Sequence, residues 1–205
     1  MKLPRHTERS LKILARLTDW GFRPEIQQRL GAFIVVWSVF ESNLETTLWA
    51  LRREEVAGVR PSTDKMQIND WIKELGKDWL QFSVAGQDVL RVASLAARDL
   101  MEYRHTIMHG WMLQSPAMPS FIRNPQWHGE KRRRPSHDAH IDENLLAMAI
   151  DSGWTLCRVV FDARAACAEP TKVGNLEALK QEVSRARSQA SELRHLTELM
   201  NHEKY

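Results

Sequence analysis

Cysteine is nearly absent: the 205 residues hold two, Cys157 and Cys167. Ten positions apart on one expected helix, they are separated by about 15 Å along its axis, too far for a disulfide. No Cys-x-x-Cys spacing occurs, which removes the usual structural zinc signature, and both thiols read as small core residues in a reducing compartment. No run approaches the roughly 18 apolar residues of a spanning helix. The stretch from Met1 to His6 also lacks the apolar centre of a signal peptide, so a cytoplasmic protein with no membrane segment is expected. Period-two alternation is almost missing as well, which excludes a β-rich fold. With 43% hydrophobic and 27% charged residues, the composition also excludes a disordered chain.

What is present is apolar spacing of three and four, so the fold class expected is all-α, one domain over residues 1–205. A first helix is read from about Thr7 to Trp20, ending at Gly21. Pro24 suits the first turn of a long second helix, whose stripe is Ile26, Leu30, Phe33, Trp37, Phe40, Leu44, Leu48 and Leu51. A third runs from about Ser62 or Asp64 to Trp79. The fourth, from about Gly86 to His109, buries Val89, Val92, Ala93, Ala96, Leu100 and Ile107. Gly110 stands where a left-handed C-terminal residue is expected.

From about 111 to 140, Pro116, Pro119, Pro125 and Pro135 among aromatic and basic residues predict an inserted irregular loop, with room for a small hairpin. Helix returns over about 142–169 and, after Pro170, over about 175–202. The last segment places Leu176, Leu179, Val183, Ala186, Ala190, Leu193 and Met200 on a heptad-like seam. That seam suits either its own bundle or a dimer or partner interface.

Chemistry concentrates in Tyr103-Arg104-His105-Thr106-Ile107-Met108-His109-Gly110. Arginine offers a permanent charge and a planar fork of donors for phosphate oxygens, while histidine changes protonation near neutral pH. Together they suit phosphodiester cleavage without a metal. On an unbroken helix Arg104 and His109 diverge by about 140°. Either Gly110 ends the helix early enough to swing His109 round, or two subunits build a composite cleft. Bland roles stand beside these: a capping histidine at the helix end, and a salt bridge from Arg104 to Glu41, Glu45 or Glu102. Glu41, one turn after Trp37, is the first choice for holding the guanidinium. His105 and His109, one turn apart, could also share a metal, but a third ligand would have to come from His128, His137, His140 or a distant carboxylate. No metal or cofactor is expected.

The 121–140 stretch carries Arg123 and Lys131 to Arg134 against Glu130 and Asp138, five positive charges less two negative, which equals the chain's formal +3. Arg123, Trp127, Lys131, Arg132, Arg133 and Arg134 therefore form a candidate surface for single-stranded RNA, with charge for phosphates and an aromatic for stacking. A merely solvated loop has the same composition.

Trp37-Ser38-Val39-Phe40-Glu41-Ser42-Asn43-Leu44-Glu45 on one long helix, with Arg104-His105-Thr106-Ile107-Met108-His109-Gly110 ending another, resembles the HEPN superfamily over about residues 24–113. Its signature is an arginine, a polar residue (here His105), and a histidine after four to six intervening residues. The resemblance implies a helical bundle that commonly forms a homodimer. With the motif intact it implies a metal-independent endoribonuclease with Arg104, His105 and His109 as its motif, in a toxin or antiviral setting; Glu41 joins this candidate catalytic set as the expected holder of the guanidinium. RNA would be cut by attack of the 2′-hydroxyl. Members paired with an antitoxin often carry a tyrosine two positions after the histidine. Trp111 stands there in this chain, which argues against regulation by tyrosine modification. The rival expectations are a noncatalytic interaction module and an RNA-binding regulator.

Overall fold

The computed structural model describes residues 3–115, 119–123, 129 and 138–202, with backbone alone from 197 onward. Seven helices are described: α1 (Arg5–Asp19), α2 (Pro24–Arg52), α3 (Ile68–Leu75), α4 (Val84–His109), α5 (Glu143–Ala168), α6 (Val173–Ala178) and α7 (Lys180–His202). Three short strands, β1 (Trp111–Leu113), β2 (Ser120–Ile122) and β3 (Ala139–His140), join them. The fold is mostly helical, as the periodicity predicts, and no described helix is long and apolar enough to cross a membrane.

The bundle follows from the stripes. Ile26, Phe33, Trp37, Phe40, Leu44, Leu48 and Leu51 are all buried on α2, and a helix that hides one face needs another against it. That neighbour is α5. Thr47 donates to the Val160 carbonyl at 3.0 Å, and Gly153 leaves Val36 only 2.8 Å from where a Cβ would sit. On α4 the small residues Ala93, Ala96 and Ala97 are fully buried, so α7 can come close. Asp99, 1% exposed, accepts from Arg187 and Arg194 of α7. A carboxylate this deep is tolerable only when paired.

Several expectations change. The third helix is shorter than read: a 3-10 turn at Ser62–Lys65 precedes α3, which starts at a reciprocal capping box between Gln67 and Asp70. The last helix is broken at Leu179 into α6 and α7. Its seam from Leu176 to Leu193 is buried within the chain's own core, so that surface is not free for a dimer or partner. The inserted region contributes a three-stranded antiparallel sheet in the order β1-β2-β3, pairing Trp111 with Ile122 and Ser120 with His140. A period-two pattern cannot announce strands of two or three residues.

Gly110 is extended, not left-handed, at φ −79 and ψ 158. Its need for glycine is spatial. A Cβ there would lie 2.6 Å from the Thr106 carbonyl oxygen and 2.9 Å from Cβ of Phe121 on β2. The glycine lets the sheet press onto the end of α4.

Candidate phosphodiester site

The site is built where α2, the start of α3 and the end of α4 meet, around a cleft of about 220 Å³. Trp37 and Glu41 form one wall, and Met101, Arg104 and His105 another. Gln67, Ile68 and Asn69 close it from the first turn of α3. Position on these helices follows from packing. Leu100, Tyr103 and Ile107 are buried, and the Tyr103 hydroxyl donates to the His140 carbonyl at 2.8 Å, which clamps this turn of α4. Arg104 and His105 then stand half-buried at the cleft.

Arg104 is short of partners. Its Nε is buried and has no hydrogen-bond acceptor, and no carboxylate among the described residues pairs with it. The expected tether does not form. Glu41 instead accepts from the indole Nε1 of Trp37, one turn back, at 3.1 Å, and Glu45 accepts from the Thr63 hydroxyl at 2.8 Å. The first contact is one turn along α2, and the second reaches the 3-10 turn before α3, so neither carboxylate is left for Arg104. A buried donor without an acceptor costs about 1–3 kcal/mol, and more for a charged group. Such a group is open to an acceptor, and its charge favours an anionic one.

His105 is the histidine that shares the cleft with Arg104; His109 does not line it. Because α4 continues through His109, Gly110 does not swing that ring round, and the expected reorientation is corrected. Instead the rings of His105 and His109 lie with centroids 4.5 Å apart, as i, i+4 geometry dictates. Burial first, and then the positive charge of Arg123, His109 and Arg104, holds the His105 proton affinity below the ordinary histidine value. At neutral pH it is a neutral imidazole, ready to accept a proton. Among the described residues no group of three His, Cys, Asp or Glu side chains is placed to hold a metal.

Of the basic stretch, the structure describes Arg123. It follows β2 directly, and its backbone N–H donates to the buried Asp138 at 2.9 Å. This fixes it close enough to His105 to lower that group's proton affinity. Burial in turn lowers the proton affinity of Arg123, which the charge of Glu102 partly restores. Trp127, Lys131, Arg132, Arg133 and Arg134 lie outside the described residues, as do His128 and His137.

The structure thus joins Arg104, His105 and Glu41 in one cleft, sets the charge of Arg123 within electrostatic range of His105, and leaves His109 outside the cleft. Sequence reasoning missed Gln67, Asn69 and Met101. For Met101 the signal was its place one turn before His105. The α3 residues carried no signal until the chain folded back.

No protein-family model, no curated protein and no solved structure matches this chain.

Proposed function

We propose that this protein is a metal-independent endoribonuclease of the HEPN type. The observation that carries the reading is the cleft in which Arg104, its buried Nε without an acceptor, stands beside the neutral imidazole of His105. A phosphodiester supplies what each group lacks. One phosphoryl oxygen accepts from the guanidinium, and the adjacent ribose 2′-hydroxyl gives its proton to His105. The 2′-oxygen attacks phosphorus, the bond to the 5′-oxygen breaks, and Arg104 and Arg123 offset charge gathering on the phosphoryl oxygens. The products are a 2′,3′-cyclic phosphate and a 5′-hydroxyl.

The leaving 5′-oxygen needs a proton, and His105 and His109 of one chain cannot supply both transfers. Each catalytic hydrogen bond spans about 2.6–3.2 Å. Rings with centroids 4.5 Å apart therefore leave no room for a phosphoryl group between them. In this reading the second proton comes from the exposed His109 of a second copy, in a homodimer formed around the end of α4. Met108 and Trp111, 48% and 61% exposed on either side of His109, support that surface. RNA beyond the scissile bond would run onto the basic stretch 131–134. A toxin or antiviral role, with an antitoxin or other protein partner, belongs to the same proposal.

The test is incubation of purified wild type, Arg104→Ala, His105→Ala and His109→Ala with total RNA in excess chelator, followed by end-group analysis. Wild type should leave cyclic phosphate and 5′-hydroxyl ends, and each variant should lose cleavage. Mixing the His105→Ala and His109→Ala proteins should restore part of it, because one composite site in the mixed dimer is intact. An active Arg104→Ala protein overturns the reading.

A second reading, a noncatalytic interaction module, is favoured by a different feature. An apolar groove of about 470 Å³, lined by Leu17, Phe22, Leu30, Ile34, Met112 and Phe121, lies open beside α1. No residue of α1 is buried. A folded wild type that cuts no RNA gives the protein to this reading.

A further inference from the structure

We propose that the cleft beside Arg104 is a nucleobase pocket that selects guanine, with Glu41 as the reading group. The inference rests on the phosphodiester reading of Arg104 and His105 and names the base next to the bond they act on.

Size comes first. At about 220 Å³ the space falls below the roughly 300–1,000 Å³ of pockets for drug-sized ligands, and it suits one planar heterocycle. Its walls suit a base: Met101 and Ile68 offer apolar, polarisable faces. Arg104 and His105 line the same cleft, so a base held there carries its own phosphate to them.

The polar groups then choose among bases. The Glu41 carboxylate is fixed through Oε2 by the Trp37 indole, while Oε1 has no hydrogen-bond partner among the described residues. Glu102 also lines the cleft, but its charge acts on Arg123. A carboxylate held this way only accepts hydrogen bonds. It is best met by two donors side by side. Guanine alone among the four bases presents two adjacent N–H groups on one edge, at N1 and the exocyclic N2. Adenine and cytosine each offer an amino group next to a bare ring nitrogen, which repels a carboxylate oxygen, and uracil offers a single N–H between two carbonyls. Asn69 and Gln67, at the same mouth, can donate to the guanine O6.

The test is isothermal titration calorimetry of the full chain with the 3′-monophosphates of guanosine, adenosine, cytidine and uridine, and with inorganic phosphate. Wild type should bind the guanosine nucleotide at least about tenfold more tightly than the other three, the scale set by one hydrogen bond to a charged group. Glu41→Gln keeps an acceptor for Trp37 but places an N–H₂ against the guanine donors. It should erase the preference, and with the carboxylate charge gone uridine monophosphate and phosphate should bind no more weakly than to wild type. Arg104→Ala should weaken all five ligands together. Equal binding of the four nucleotides by wild type overturns the guanine pocket and leaves the phosphodiester reading standing. Retained preference in Glu41→Gln overturns the assignment of Glu41. Failure of wild type to bind any nucleotide or phosphate overturns both.

Discussion

Replacing Gly110 by alanine probes the joint on which the site depends. At φ −79 and ψ 158 the backbone accepts any residue, so the substitution carries no torsional cost. Its cost is steric. The added methyl would meet the Thr106 carbonyl at 2.6 Å, Cβ of Phe121 at 2.9 Å and the Ile122 nitrogen at 3.3 Å. Two of these are backbone atoms, one in α4 and one in the β1–β2 pairing, so relief requires the end of α4 and the sheet to shift against each other. Overpacking of this kind costs about 1–3 kcal/mol. For a chain of this length each kcal/mol is roughly 2–4 °C in Tm, so Gly110→Ala should melt about 2–12 °C lower. Gly31 is the control. It is exposed on α2 with nothing within 4 Å of its virtual Cβ, and alanine there should stabilise by roughly 0.5–1 kcal/mol. Calorimetry or thermal circular dichroism reads both. The same movement carries Arg123 away from His105, so the His105 pKa, followed by NMR titration, should rise toward its ordinary value. A Gly110→Ala protein as stable as wild type with an unchanged His105 titration refutes this account of the joint.

Because burial and then the neighbouring Arg123, His109 and Arg104 depress the His105 proton affinity, the unfolded chain binds the extra proton more readily as pH falls. Its contribution to stability is fully present above the unfolded histidine pKa of about 6.5 and is lost on acidification through the folded value. Urea midpoints should therefore fall less between pH 7 and pH 5 in His105→Asn than in wild type, and cleavage by wild type should hold its rate to a lower pH than an ordinary histidine base allows. At the α4–α7 contact, Arg187→Met with Arg194→Met strands the carboxylate of Asp99, 1% exposed, and should cost about 3–5 kcal/mol in chemical denaturation. Asp99→Asn should cost less, since both guanidiniums reach water; the reverse order would show that the acid is not charged. Neutralising Arg132, Arg133 and Arg134 together should weaken RNA binding and flatten its dependence on salt, and an unchanged slope in filter binding would remove this stretch from the RNA path.

Much of the helical framework was legible because a helix buries one stripe and the stripe is written in the residues. The spacing of Phe33, Trp37, Phe40 and Leu44 is itself the burial pattern of α2. Pro24 at the start of that helix reads the same way, since it acts through the backbone of its own turn. Contacts one turn apart were legible in principle too. Trp37 to Glu41 and His105 to His109 are both i, i+4 pairs. What the sequence left open was decided by approach between distant segments. Gly110 announces a helix end, but only β2 lying against α4 explains why no side chain is tolerated there. Arg104 announces a charge near an apolar edge. Its lack of a carboxylate follows from where Trp37 and Thr63 direct Glu41 and Glu45. Strand pairing brings the charge of Arg123 within electrostatic range of His105, and the turn preceding α3 brings Gln67 and Asn69 to the cleft. Local spacing sets which face a residue occupies, because that depends on torsions a few residues long. Which charges meet across the cleft depends on how whole helices and a folded-back sheet pack, and no short-range pattern encodes that.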